Sequence, residues 1–246
     1  MNMKNNIPNP WDILSQSKFN INLPKDKIDP RAADNILIAW PPILKLINQY
    51  YPNPNGIKVM DFGCGNSGFC QKLYSLGFEV TGLDSSAEMI KGARDNSSHN
   101  INYIIGNQRD LPAFGKYDII TSIMTFPFID EIQITLKLIS DVLNKNGLLI
   151  FADFNNIWVK ECLQNRTTFS DFDSITIPSS GMKLFGDIKI PVFIRESKNY
   201  DLMTKKLKLL KIFEDRPPFT KEFIEKYPDI RPKKVSEYLI LGYKKF

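Results

Sequence analysis

The chain has very little histidine and cysteine, and no long apolar run. Its 246 residues contain one histidine, His99, in the polar stretch NSSHNIN. A lone imidazole in such a setting argues against a Ser-His-Asp triad and against a histidine-rich metal site, so no metal is expected. The three cysteines, Cys64, Cys70 and Cys162, show no C-x-x-C spacing, and their odd number argues against a disulfide framework. They read as small buried thiols. No segment approaches the roughly 18 uninterrupted apolar residues of a membrane-spanning helix. The first residues, MNMKNNIPNP, are polar and contain proline, unlike an export signal, so a cytoplasmic location is expected.

What is present is an ordinary globular balance, 43% hydrophobic and 24% charged. The formal charge of +5 is uneven, with KKLKLLK (Lys205 to Lys211), RPKK (Arg231 to Lys234) and a terminal YKKF loading the last third. Such patches can track phosphates, but lysines at these positions read first as solvated ends of strands and helices.

From Ile57 onward, β-rich runs alternate with helix-compatible runs, which predicts a parallel sheet covered by helices on both faces. Strands are expected near Lys58–Phe62, Glu79–Leu83, Asn102–Ile105, Tyr117–Ile123 and Leu148–Ala152. Helices are expected near Gly68–Leu76, Ala87–Asp95 and Glu131–Leu143, with Gly77, Gly106 and Asn146-Gly147 marking ends and turns. Upstream, RAADNILIAWPPILKLINQYY predicts two successive helices, the second with proline in its first turn. Downstream, NNIWVKECLQN and KNYDLMTKKL read as helices, residues 171–195 as irregular chain plus a hairpin, and KLLKIF and EYLILGY as late strands joining the edge of the same sheet.

The stretch VMDFGCGNSGFC places Gly63, Gly65 and Gly68 in the G-x-G-x-x-G spacing associated with dinucleotides. Asp61, two residues before the first glycine, would set a negative charge near a pyrophosphate and fits better with a cationic or amino-bearing ligand. With FEVTGLDSSAEMIKGAR, GNQRDLP, KYDIITSIMTFPFID, LKLISDVLNKNGLLIFADF and the closing EYLILGYKK, this segment resembles class I S-adenosylmethionine-dependent methyltransferases. The resemblance is specific from about Ala33 to Phe154, and it implies a three-layer α/β/α Rossmann-like sheet, mostly parallel, with an antiparallel C-terminal strand and added N-terminal helices. Residues 1–50 are then a helical cover, including NPWDILSQSKFN and Trp40-Pro41-Pro42, and 51–246 a single domain. Within that domain, 57–154 form the core and 155–246 the late strands and acceptor-side elements.

The resemblance also implies that S-adenosylmethionine is the cofactor, leaving as S-adenosylhomocysteine, and that Asp61, Gly63, Cys64, Gly65, Ser67, Asp84, Ser85, Asn107 and Gln108 hold it. Asp84, ending the second strand, takes the ribose hydroxyls, since a carboxylate accepts from two hydroxyls at once. Two positions depart from the family pattern. Asn107 stands where an acid usually meets the adenine amino group, with Asp110 as a rival, and Ser67 stands where the loop's third glycine is expected.

For the acceptor, by the same analogy over the ends of the fourth and fifth strands, the candidates are Phe126 and Phe128 as an apolar wall, with Tyr200 and Arg195 reaching in from the C-terminal side. Asp130, Glu131 and Asp153 are candidate bases. The expected activity is methyl transfer to an oxygen, nitrogen or carbon of a small molecule. The alternatives are an RNA or DNA methyltransferase, a cofactor-binding protein without transfer activity, and a nicotinamide oxidoreductase.

Overall fold

In the computed structural model, the described residues are 9–15, 33–164, 168–172, 174, 176–227 and 235–246. Half of the expected cover, residues 1–8 and 16–32, therefore lies outside them, as does the basic run Arg231 to Lys234. A short helix α1 (Pro10–Ser15) stands apart from α2 (Trp40–Tyr50). The core follows as β1 (Lys58–Phe62), α3 (Gly68–Ser75), β2 (Glu79–Asp84), α4 (Ala87–Asp95), β3 (Asn102–Ile105), β4 (Tyr117–Ile123), α5 (Ile132–Val142) and β5 (Leu143–Phe154). Then come α6 (Asn156–Gln164), β6 (Phe169–Ser170), β7 (Ser179–Phe185), β8 (Ile188–Ile194), α7 (Ser197–Lys205), β9 (Leu209–Asp215), α8 (Lys221–Lys226) and β10 (Tyr238–Lys245).

Seven strands form one sheet in the order β3-β2-β1-β4-β5-β10-β9, parallel from β3 to β5, with β10 antiparallel to both of its neighbours. The period-2 alternation of a strand sorts its side chains between two helical layers. Val59, Leu148, Ile150, Tyr238 and Ile240 pack with Ile43, Leu73 and Ile90 of α2, α3 and α4. Met60, Leu149, Phe151, Leu239 and Leu241 pack with Leu136 and Ile139 of α5 and Tyr200 of α7. Each such fully buried side chain contributes roughly 1.5–3 kcal/mol. A third apolar cluster, including Phe154, Trp158, Phe169 and Val192, joins α6 to a separate small sheet of β6, β7 and β8.

Two sequence expectations need correction. The second helix before β1 has proline in its first turn as expected, but it is not separate from the first, because a π-helical turn over Asn35–Ala39 runs directly into α2. The Trp40 N–H reaches back to the Asn35 carbonyl, and this wider turn precedes Pro41 and Pro42, which have no N–H to offer. Second, β5 begins at Leu143 rather than Leu148: Asn146 (φ 64) sits inside it near a register shift against β4, so the Asn-Gly pair marks an irregularity within the strand. The expected hairpin is present as β7 and β8, residues 179–194, and with β6 it forms a sheet of its own.

Two of the C-terminal lysines are committed to the fold. Lys211 pairs with Asp201 (2.7 Å) and Glu214 (2.8 Å), and Lys245 donates to the carbonyls of Ser140 (2.5 Å) and Leu143 (2.8 Å) at the end of α5. Among the described residues, no helix is long and apolar enough to cross a membrane.

Candidate cofactor and acceptor site

A cavity of about 430 Å³ opens at the carboxyl ends of β1, β2 and β4, the crevice where open α/β sheets take ligands. Gly63, Gly65, Asp84, Ser85, Asn107 and Gln108 line one half. Trp11, Met124, Thr125, Phe128, Asp130 and Glu131 line the other.

The turn after β1 is held by backbone. The N–H groups of Gly63 and Cys64 both donate to the Leu83 carbonyl, at 2.7 and 3.1 Å, which binds the turn to the end of β2. Gly63 (φ 78) has no room for a side chain: a Cβ there would lie 2.0 Å from Thr125 Oγ1. Gly65 (φ 53) faces open space, so its backbone is bare toward the cavity. The third left-handed position is Ser67 (φ 86, ψ 3), with Gly68 already the first residue of α3. Ser67 thus adopts the conformation of the family's third glycine, at a cost of roughly 1 kcal/mol. Its buried hydroxyl is tied to the Tyr103 hydroxyl.

Asp84 is the charged centre of this half. Its Oδ2 accepts from the Gly65 N–H (2.9 Å) and its Oδ1 from the Ser86 N–H (2.9 Å), which fixes the carboxylate at the cavity wall. Each oxygen retains acceptor capacity. Burial nonetheless lifts its carboxyl above the ordinary value, with the backbone donors opposing the shift. Such a group suits a vicinal diol. A cavity lined by carboxylates and, among the described residues, by no lysine, arginine or histidine suits a sulfonium and ammonium ligand and opposes a pyrophosphate. The residues present therefore fit the cofactor that the resemblance implies.

Not every candidate reaches this cavity. Asp61 is buried beneath the turn, where it accepts from Thr121 Oγ1 (2.8 Å) and Cys70 Sγ (3.7 Å), and desolvation pushes its carboxyl up to about 6. It props the turn from below. Cys64 and Ser67 are buried beside it and are not among the lining residues. Asn107 does line the cavity, but its Oδ1 caps the 3-10 turn over Gln108–Phe114 by accepting from the Arg109 N–H (2.9 Å). Asp110 returns the bond by accepting from the Asn107 N–H (2.8 Å), and it does not line the cavity.

On the acceptor side, Phe128, Asp130 and Glu131 face the cavity, whereas Phe126, Asp153, Tyr200 and Arg195 do not. Phe126 is core, 4.6 Å from the Phe151 ring. The Arg195 guanidinium donates to the carbonyls of Phe126 (3.1 Å), Ile129 (2.7 Å) and Asp130 (3.2 Å), clamping the turn that presents Phe128. Behind it, Tyr200 donates to Asp153, whose carboxyl burial pushes up to about 6 against the Arg195 charge. These three are turn-holding residues. Sequence reasoning passed over Trp11 as an individual contact, and also Met124, whose φ of 57 is a strained geometry at the end of β4. No sequence signal pairs residue 11 with residue 128.

Comparison with known proteins agrees with this fold. A family model described as a methyltransferase domain matches residues 53–215. A ubiquinone biosynthesis O-methyltransferase of Bradyrhizobium diazoefficiens is 28% identical over 106 residues, 42% of each chain, so the match spans about two fifths of that relative. A malonyl-[acyl-carrier protein] O-methyltransferase of Ilyobacter polytropus is 24% identical over 188 residues, covering 70% of this chain and 73% of its own. The crystal structure of an S-adenosylmethionine-dependent methyltransferase from Mesorhizobium loti shares the fold with a TM-score of 0.64 at 15% identity, over 88% of this chain and all of its own.

Proposed function

The chain belongs to this methyltransferase family, within the class I S-adenosylmethionine-dependent superfamily, and from that premise we propose that it methylates an oxygen, nitrogen or carbon of a small molecule. The observation that carries the reading is the Asp84 carboxylate, held by the N–H groups of Gly65 and Ser86 at the wall of a cavity with no basic side chain among its described lining residues.

When bound, S-adenosylmethionine supplies a methyl group whose bond to sulfur breaks, with the electron pair going to sulfur, as the bond to the acceptor forms. The chain's own part is to position and to exclude water. Asp84 would accept from the ribose hydroxyls, the bare backbone of Gly65 would allow close approach, and Asn107 and Gln108 would border the adenine end. Phe128 walls the acceptor side. Asp130 is the carboxylate there that has no hydrogen-bond or ion-pair partner among the described residues, and it is assigned to take up the acceptor's proton where the acceptor has one to lose. Glu131 is instead paired with Arg109 (2.8 Å).

Calorimetric titration with S-adenosylmethionine, S-adenosylhomocysteine and NAD tests the cofactor: the first two are expected to saturate, and saturation by NAD alone would overturn the reading. Incubation with a metabolite extract is expected to yield a product heavier by one methyl group. Cofactor binding without any such product across a broad acceptor set would favour a binding protein without transfer activity.

A further inference from the structure

Trp11 joins the two halves of the cavity. Its ring lies 4.8 Å from Phe128 at 76° and 5.8 Å from Phe185 of β7 at 69°. Trp11 and Phe128 therefore meet as two walls of an aromatic corner that opens into the cavity. The helix that carries Trp11 is anchored on the cofactor side. Asp12 Oδ1 accepts from Ser86 Oγ (2.5 Å) and from the Glu88 N–H (3.4 Å), and Asn9 Nδ2 donates to the Ser85 carbonyl (3.3 Å). These anchors lie one to four residues beyond Asp84, so the placement of Trp11 depends on the same main chain that holds the ribose carboxylate.

The charge of the cavity points the same way. The chain as a whole carries +5, yet the described lining residues include Asp84, Asp130 and Glu131, the last paired with Arg109 (2.8 Å), and no cationic side chain. An anion entering it would give up water and meet carboxylates, whereas a flat neutral or cationic ring would stack in the corner at no such cost.

We propose that Trp11 is a specificity residue of the acceptor half, and that the acceptor it selects is a flat aromatic molecule with no negative charge on the part that enters the cavity. This rests on the methyltransferase reading above and narrows its substrate class. An aromatic ring fits the right-angled corner because it can stack on one wall while presenting its edge to the other. Phosphate-bearing and carboxylate-bearing groups are selected against by Asp130 in particular.

The test titrates the complex with S-adenosylhomocysteine using 2-naphthol and 2-naphthol-6-sulfonate, which share a ring system and differ in charge. Naphthol is expected to saturate and to bind about ten-fold or more tighter than the sulfonate. Trp11→Ala is expected to weaken naphthol about ten-fold while Trp11→Phe largely retains it, both leaving S-adenosylhomocysteine affinity within about three-fold. Asp130→Lys is expected to close the gap between the two probes. The proposal falls if naphthol does not saturate, if the sulfonate binds as tightly, or if Trp11→Ala leaves naphthol unchanged. Failure of the unaltered protein to bind S-adenosylhomocysteine would instead count against the methyltransferase reading itself.

Discussion

On the β2 side of the cavity, the structure is mainly backbone: two N–H groups on the Leu83 carbonyl, two more on Asp84, and left-handed turns at Gly63, Gly65 and Ser67. On the β4 side it is mainly side chains drawn from distant segments, with Trp11 from α1, Phe128 from the turn after β4, and Arg195 from beyond β8. A site made of main chain tolerates little change in conformation but much in side-chain chemistry. One made of side chains can be re-specified by substitution while the sheet beneath it stays the same.

The sharpest way to break the first half is Gly63→Ala. A Cβ 2.0 Å from Thr125 Oγ1, on a backbone at φ 78, is expected to cost about 3–5 kcal/mol of stability and to abolish cofactor binding, measured by urea unfolding and calorimetry. The counterpart for the second half is Arg195→Met, which strands three carbonyls and leaves Asp153 uncompensated. A loss of about 3 kcal/mol is expected, with the acceptor KM rising more than the cofactor dissociation constant. Equal losses on both sides would mean that the halves are not separable.

Asp84→Ala is expected to weaken cofactor affinity by about 1–3 kcal/mol while leaving the fold intact. An unchanged dissociation constant would remove Asp84 from the site. Asp61 differs in kind, since it supports the turn without touching the cavity. Its carboxyl, raised to about 6 by burial, favours folding only in the neutral form, so that stabilisation is present below about pH 4 and is lost as pH rises through 6. Asp61→Asn stays neutral throughout and is expected to gain on the parent protein by about 2 kcal/mol between pH 4 and 7 in unfolding titrations.

Asp84 and the glycine turn were legible because both lie within one strand-turn-helix-strand unit whose geometry local residues dictate. Asp61 was legible as a marker of that turn but not as a buried prop, since a sequence does not say which way a carboxylate points. Tyr200 and Arg195 were placed near the acceptor for the right neighbourhood and in the wrong layer: they hold the turn at Phe126 to Asp130 from behind. Asp153 belongs to the same layer.

By itself, the sequence determined the alternation of strands and helices, a mostly parallel sheet with an antiparallel last strand through the family resemblance, and the acids and glycines at the strand ends. Each of these is a local preference repeated along the chain. Only the tertiary structure decided that Ser67 takes the left-handed place of a glycine, that β6 to β8 form a second sheet, and that Trp11 meets Phe128. Such contacts join residues far apart in the chain, and their energy exists only once the packed sheet has brought them together.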